Sequence, residues 1–483
     1  MGTIQFHTEH PGLLSETGIA RADFVTFDGR VIPSSTTLKG GLLTCDRAQM
    51  ESSRLRILCQ VSPTEQFVAQ TTCLRETPVP YQLEVELARG ELSRLRNHYG
   101  LWTGAGLRSS PEVDTTRDMA HRTFRNAVVA PGSLDSAIRA LRLAHHATDQ
   151  LCELYTRQRL AFRRQRSTQF PVFLGCRLSE IPARPELYMD AFNAVLVNTD
   201  WSRMEPSDGD YQWTQTDALV DWATTNRLFL MGGPLVDLSR NRFPNWMQCW
   251  HGDPVNMQSF TADFVETVVG HYVGRIRHWE VICGANRGGA CGLTEEQRLN
   301  LALQAIGAAR QVDEQIQISL RVVQPWGEYI STTQNRLPPI QFVDTLRRSG
   351  VSIDEVSLEI RCGQDDLASL PRDLLSFSQL LDHWSMLQVP LNVMVALPEL
   401  VDSDGSSVSE PQFEVQQAQW LENVLLMCLS KERVTGVYCF DWDAASQDHA
   451  TSSLLQRPDG SVHPAYERLK DLEQRYWPEQ AGL

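Results

Sequence analysis

Lysine is almost missing from this 483-residue chain, with Lys39, Lys431 and Lys470 its only representatives, and arginine carries the remaining positive charge. Such usage reads as genome composition rather than mechanism. Basic charge is itself short: the formal net charge is -15, which argues against a nucleic-acid-binding protein, because phosphate neutralisation needs a basic face. The exception is RQRLAFRRQR, residues 157–166, which reads as a solvated helix end whose cations suit the helix dipole. No apolar run approaches the roughly 18 to 20 residues that span a bilayer. The opening MGTIQFHTEHPG lacks a basic segment followed by an apolar one, and Phe6 stands where myristoylation needs Ser or Thr. A cytoplasmic protein without membrane attachment is expected. Its 11 cysteines are odd in number and contain no CxxC pair, which points away from a disulfide framework and from a zinc site, and toward reduced thiols. No metal and no cofactor is expected.

What is present is enough apolar material, 42% of residues, to bury two cores. Residues 1–125 contain short alternating or apolar runs, including FVTF, GGLLTC, RLRILCQV, QFVAQTTCL and YQLEVELARG. Period two with β-branched enrichment predicts a small β-rich, sandwich-like domain there. Residues 133–170 hold neither proline nor glycine, and Leu134, Ile138, Leu141, His145, Thr148, Cys152, Tyr155 and Phe162 recur at three- and four-residue steps. This predicts a long helix in a connecting segment over residues 126–170. His145 and His146 are adjacent, hence on different faces, and suit packing or exposure better than a metal pair.

From residue 171 to 483 the texture changes. Eight short apolar runs, PVFLGC, FNAVLVN, LFLMGG, HWEVIC, QISLRVV, EVSLEIR, LNVMVAL and TGVYCFD, alternate with amphipathic stretches such as TDALVDWATTN and TEEQRLNLALQAIGAARQ. Eight strand-helix units predict an α/β fold of the (β/α)8 TIM-barrel type.

Within this barrel, FNAVLVNTDWSRMEPSDGDYQWTQTDALVDWA resembles the second-strand segment of family-10 glycoside hydrolases, the xylanase barrels, in the spacing of Trp201, Glu205-Pro206, Gly209 and Trp213. FPNWM, YVGRIRHWEV, RRSGVSIDEVSLEI and LLQRPDGSVHPAYERLKDL follow in the family's order, so the resemblance covers residues 185–475. It implies a retaining mechanism with two glutamates, an acid/base and a nucleophile. The family's fourth-strand Trp-Asp-Val-Val-Asn-Glu run corresponds to Trp279-Glu280-Val281-Ile282-Cys283-Gly284 here, which puts Gly284 at the acid/base position. The seventh-strand Ile-Thr-Glu-Leu-Asp run corresponds to LNVMVALPEL, which puts Val395 at the nucleophile; Glu399 lies beyond Pro398 in the loop. Neither glycine nor valine can do the chemistry. The sugar-binding shell departs as well, through Asp200, the Gly232-to-Asp237 run, Glu359-Ile360-Arg361 and Phe440.

Polar residues still gather at the carboxyl ends of the strands, where barrel sites lie: Asp200, Asp237, Glu359, Arg361, Asp441 and Asp443. Asp200, Asp237, Glu359, Arg361 and Asp441 are the candidate substrate-binding residues, with Arg361 expected to compensate Glu359. No residue is assigned a catalytic role. Glu280 is expected to form an ion pair with Arg275 or Arg277, and Trp201, Trp213 and Trp279 to be packing residues. The glycine-rich segment 283–292 has no Lys-Ser/Thr ending and no GxGxxG spacing, and reads as a loop crossing a vacated pocket. The leading expectation is a barrel that has lost hydrolysis and binds or scaffolds a glycan or protein partner. The alternative is a glycosidase using relocated carboxylates among Asp200, Asp237, Glu359 and Asp441.

Overall fold

The computed structural model describes residues 2–62, 65–129, 134–166, 170–240, 242–363, 367–398, 411–440, 442–443 and 454–477. The chain divides into two compact units. The first comprises Met1–Arg166 together with Gly327–Pro338 and Leu370–Leu380; the second comprises Ser167–Trp326, Pro339–Ser369 and Leu381–Leu483.

The first unit contains two four-stranded sheets. One orders Ser34–Lys39, Leu42–Arg47, Gly2–His7 and Tyr81–Gln82; the other orders Val31–Ile32, Asp23–Thr26, Ser53–Ser62 and Glu65–Gln70. Alternation turns Ile4, Phe6, Leu43 and Cys45 from the first and Phe24, Leu55, Ile57 and Phe67 from the second into a shared core, joined by Leu83, Leu87 and Leu141 from helices. The strand expected across YQLEVELARG stops at Gln82, and Leu83–Gly104 is a helix. The Leu-Glu-Val-Glu-Leu alternation fits either period, but the buried positions Leu83, Leu87, Ala88, Leu92 and Leu95 continue at helical steps. Gly90 permits this: a Cβ there would lie 1.8 Å from the carbonyl oxygen of Gln70. Strand structure therefore ends near residue 82 rather than 125, and three helices follow, Leu83–Gly104, Pro111–Val129 and Leu134–Arg166. His145 packs in the unit's interior, its ring stacked on Phe67 with centroids 3.7 Å apart.

The second unit is a closed parallel barrel of eight strands: Phe173–Leu178, Ala194–Val197, Phe229–Gly232, His278–Cys283, Gln317–Val322, Glu355–Ile360, Leu391–Val395 and Val434–Cys439, called strands one to eight below. Strand eight pairs with strand one, and strand three with strand four, which closes the sheet. A two-residue strand, Val236–Asp237, adds to the carboxyl end of strand four. The strands are mostly apolar because they are covered on both faces, as parallel barrel strands are, with Arg177, Glu280, Arg321 and Glu359 as buried charged exceptions. Helix starts follow local chemistry: Thr294 and Gln297 form a reciprocal capping box for Glu295–Val312, and Asp253 caps Pro254–His271. Among the described residues, no helix is long and apolar enough to cross a membrane.

Candidate functional site

At the carboxyl end of strand four the chain turns through Gly284, whose φ of +67° is a left-handed conformation that glycine adopts without strain. A Cβ at this position would lie 2.4 Å from Cβ and 2.7 Å from Oγ of Ser239. The site is closed to any side chain unless Ser239 moves. Cys283 beside it is no substitute nucleophile, because burial, reinforced by Asp237, pushes its thiol well above the ordinary range. The following loop is held by Arg298, which donates to the carbonyls of Ala285 and Leu293, both at 2.8 Å.

Ser239 belongs to the turn that leaves the short strand at Asp237. The carboxylate of Asp237 organises this turn, accepting from the Ser239 backbone N–H at 2.9 Å, the Ser239 hydroxyl at 2.6 Å and the Arg240 backbone N–H at 3.3 Å. Two arginines project from it. Arg240 donates to Glu359 at 3.1 Å, and Arg242 pairs with Asp200 while its Nε stands 3.9 Å from Asp237. Asp200, Asp237 and Glu359, read from sequence as candidate ligand contacts, are thus brought together around one turn and share its two arginines. Burial would raise the carboxyl of Asp200, but Arg242 foremost and then Arg177 hold it below the usual carboxylate range.

Among the strands, an apolar cluster of Leu196, Met231, Met394, Tyr438 and Phe440 is joined by two buried guanidinium groups, those of Arg177 and Arg321. Arg321 pairs with Glu280, and both are buried. The guanidinium carbons of Arg177 and Arg321 lie 5.6 and 5.3 Å from the ring centroid of Phe440. This corrects the partner expected for Glu280, since Arg275 instead meets Asp217 and Asp221. A neighbouring inward-facing strand position reaches Glu280 in the dry interior more readily than the exposed start of its own strand. The cation on Glu359 is likewise Arg240. Arg361 ends strand six half-buried, its carbonyl accepting from Ser369 N–H at 2.7 Å. Asp441 lies outside the described residues.

Val395, which the sequence resemblance lays on the family's nucleophile, is buried in register with Ile360 and Cys439. Its neighbours Ala396, Leu397, Leu421, Cys439, Phe440 and Leu455 line a crevice of about 10 Å³, room for one water at most. Trp201 and Trp279 are buried as expected; Trp201 stacks on Phe264 at 4.5 Å and donates to Glu205 at 2.8 Å. Trp213 is only half-buried, stacked between Tyr211 and His271.

Sequence reasoning missed Ser239, Arg240, Arg242, Arg177 and Arg321. Signals for the four arginines exist: DLSRNR places two of them just beyond strand three, and one arginine in each of FLGCRL and QISLRV interrupts a strand made mostly of buried residues.

A closed (β/α)8 barrel with its polar residues at the carboxyl ends of the strands is the architecture of the TIM-barrel class. The chain belongs to glycosyl hydrolase family 10, whose sequence model matches residues 169–472. It is 35% identical over 83 residues to an endo-beta-1,4-xylanase, Xyn10C, of Cellvibrio japonicus, covering 17% of this chain and 14% of that one. It is 23% identical over 258 residues to an endo-1,4-beta-xylanase of Agaricus bisporus, covering 52% and 72%. The crystal structure of native xylanase 10B from Thermotoga maritima superposes with a TM-score of 0.50 at 17% identity, covering 65% of this chain and 99% of that one.

Proposed function

We propose that this family-10 barrel no longer hydrolyses glycosides and serves a non-catalytic binding or scaffolding role. The observation that carries the reading is the Asp237-to-Arg242 turn. Ser239 takes the space in which an acid/base side chain would grow from position 284, and Arg240 and Arg242 engage the carboxylates that relocated catalysis would need. A retaining reaction requires a proton donor and a nucleophile on opposite sides of the glycosidic bond, and Gly284 and Val395 supply neither. General acid catalysis alone is typically worth about 10² to 10⁴-fold, so loss of both groups removes hydrolysis rather than weakening it.

Because the relatives are named as endo-1,4-beta-xylanases, xylan is the substrate to test. The purified chain is expected to release no reducing ends from xylan, to leave aryl xylosides intact, and to give no saturable heat on titration with xylooligosaccharides. Turnover that persists through purification and disappears in Asp200→Ala or Glu359→Gln would overturn the reading in favour of relocated carboxylates. Saturable oligosaccharide binding lost in Arg242→Ala would redirect it to a glycan-binding protein.

A further inference from the structure

We propose that Glu91, Arg94 and Asp373 form a proton-operated clamp, in which the first unit takes up one proton to hold its Leu370–Leu380 segment. Glu91 and Arg94 lie one turn apart on the Leu83–Gly104 helix, and Arg94 donates to Glu91 Oε2 at 2.7 Å. The same guanidinium reaches Asp373 through both nitrogens, at 2.8 and 3.0 Å, and Ser376 at 2.9 Å. The second oxygen of Glu91 accepts from the Gln70 backbone N–H at 3.0 Å, which ties the cluster to the Glu65–Gln70 strand. The segment is fastened around this point by Leu370 packing on Leu58 and Val68, by Val68 N–H donating to Pro371 O at 3.2 Å, and by Arg372 on Glu328 at 2.6 Å.

The charge count does not close. The carboxylates of Glu91 and Asp373 are fully buried and share one cation, itself 7% exposed. An unbalanced charge in so dry a place is expensive, and the group responds by binding a proton. The other groups facing the cluster do not supply the missing charge. On the Leu134–Arg166 helix, burial lowers His145 to about 4 against the opposing field of Asp373, which leaves its ring neutral, and it stands 3.4 Å from Asp149; on the Leu83–Gly104 helix, His98 turns to the Arg94 carbonyl and to Gln379, each at 3.0 Å. From the Ser53–Ser62 strand, Cys59 is kept as a thiol by burial, with Glu91 and Glu84 adding to the negative field, while the Arg54 guanidinium turns to the Thr26 carbonyl at 3.2 Å. Asp373 keeps its charge, since Arg94 outweighs burial and holds it well below the carboxylate range. Glu91 is the group left to take the proton: burial pushes it up to about 7. Below that pH the cluster is neutral and the clamp is tight; above it the extra charge loosens the segment that carries Asp373.

The test is urea unfolding of the full chain between pH 6 and pH 8, wild type against Glu91→Gln, with hydrogen exchange of residues 370–380 followed in parallel. A carboxyl whose folded value exceeds its unfolded one favours the fold at low pH, and that contribution is lost as pH rises through about 7. The wild-type unfolding constant should therefore rise about tenfold more from pH 6 to pH 8 than that of the variant, whose amide cannot ionise. Exchange at 370–380 should accelerate beyond the intrinsic base-catalysed increase in the wild type alone. If Glu91→Gln does not fold, the wild-type exchange at 370–380 decides, compared with exchange in the Gln317–Val322 barrel strand as internal reference. Equal pH dependence in both proteins, or equal acceleration in both segments, would overturn the proposal. Loss of the pH dependence in His145→Gln with its retention in Glu91→Gln would overturn the assignment of the proton to Glu91.

Discussion

Arg94 in the first unit and Arg242 in the barrel each stand against two carboxylates, yet one acid of the first pair is driven up while an acid of the second is driven down. Arg94 serves Glu91 and Asp373, both fully buried, and Glu91 is driven up to about 7. Arg242 serves Asp200 and Asp237 in a mouth where the guanidinium is 19% exposed, and Asp200 is driven down. In the barrel Arg177 adds a further positive field and Arg240 takes Glu359, so cations are in sufficient supply. Burial alone therefore does not set the protonation state. The balance of charge inside the same dry volume does, with exposure setting how much an imbalance costs.

Breaking the drier site should have the larger effect. Arg94→Met strands two buried carboxylates and is expected to cost about 3 to 5 kcal/mol at pH 7, with a smaller loss at lower pH as the acids protonate. The urea midpoint at two pH values checks both statements. Next in size is Gly284→Ala, which combines a positive φ with a clash against Ser239 and should cost about 2 to 3 kcal/mol. For the same reason the double change Gly284→Glu with Val395→Glu should give a destabilised protein that still leaves aryl xylosides intact; an active double variant would contradict the closed geometry.

At the wetter site, Arg242→Met should cost about 1.5 to 3 kcal/mol. Its signature is in the pH dependence. Asp200 is depressed in the fold, so its contribution is present above the unfolded value near 3.8 and is lost as pH falls through the folded value. Wild-type stability should fall on acidification below about pH 4, and in Arg242→Met this part of the acid limb should disappear. Smallest is Arg275→Ala on the outer surface, where pairs with Asp217 and Asp221 are exposed to water; less than about 1 kcal/mol is expected, shrinking further with salt.

Barrel strands and family could be read directly from the chain, because eight apolar runs separated by amphipathic stretches admit few architectures and several motifs recur in order. The same reading failed over Leu83–Gly104, where Leu-Glu-Val-Glu-Leu satisfies both periods and the burial of Leu87, Ala88, Leu92 and Leu95 at helical steps shows which one the fold uses. Asp200, Asp237 and Glu359 were visible as polar residues at strand ends. Their partners were not, because Arg240 and Arg242 sit in a loop whose course depends on how Asp237 accepts three donors. The partner of Glu280 was sought nearby in sequence, at Arg275 or Arg277, and came from strand five instead.

By itself the sequence determined that the barrel would form, and it placed Gly284 and Val395 where the resemblance expects the two family glutamates, since periodicity and side-chain identity are local properties of the chain. Only the tertiary structure decided that position 284 has no room for a side chain, which arginine neutralises which acid, and where a carboxylate is left one cation short. Those outcomes depend on distances and burial between residues far apart in sequence, and the energy of a charge inside a protein is set by both.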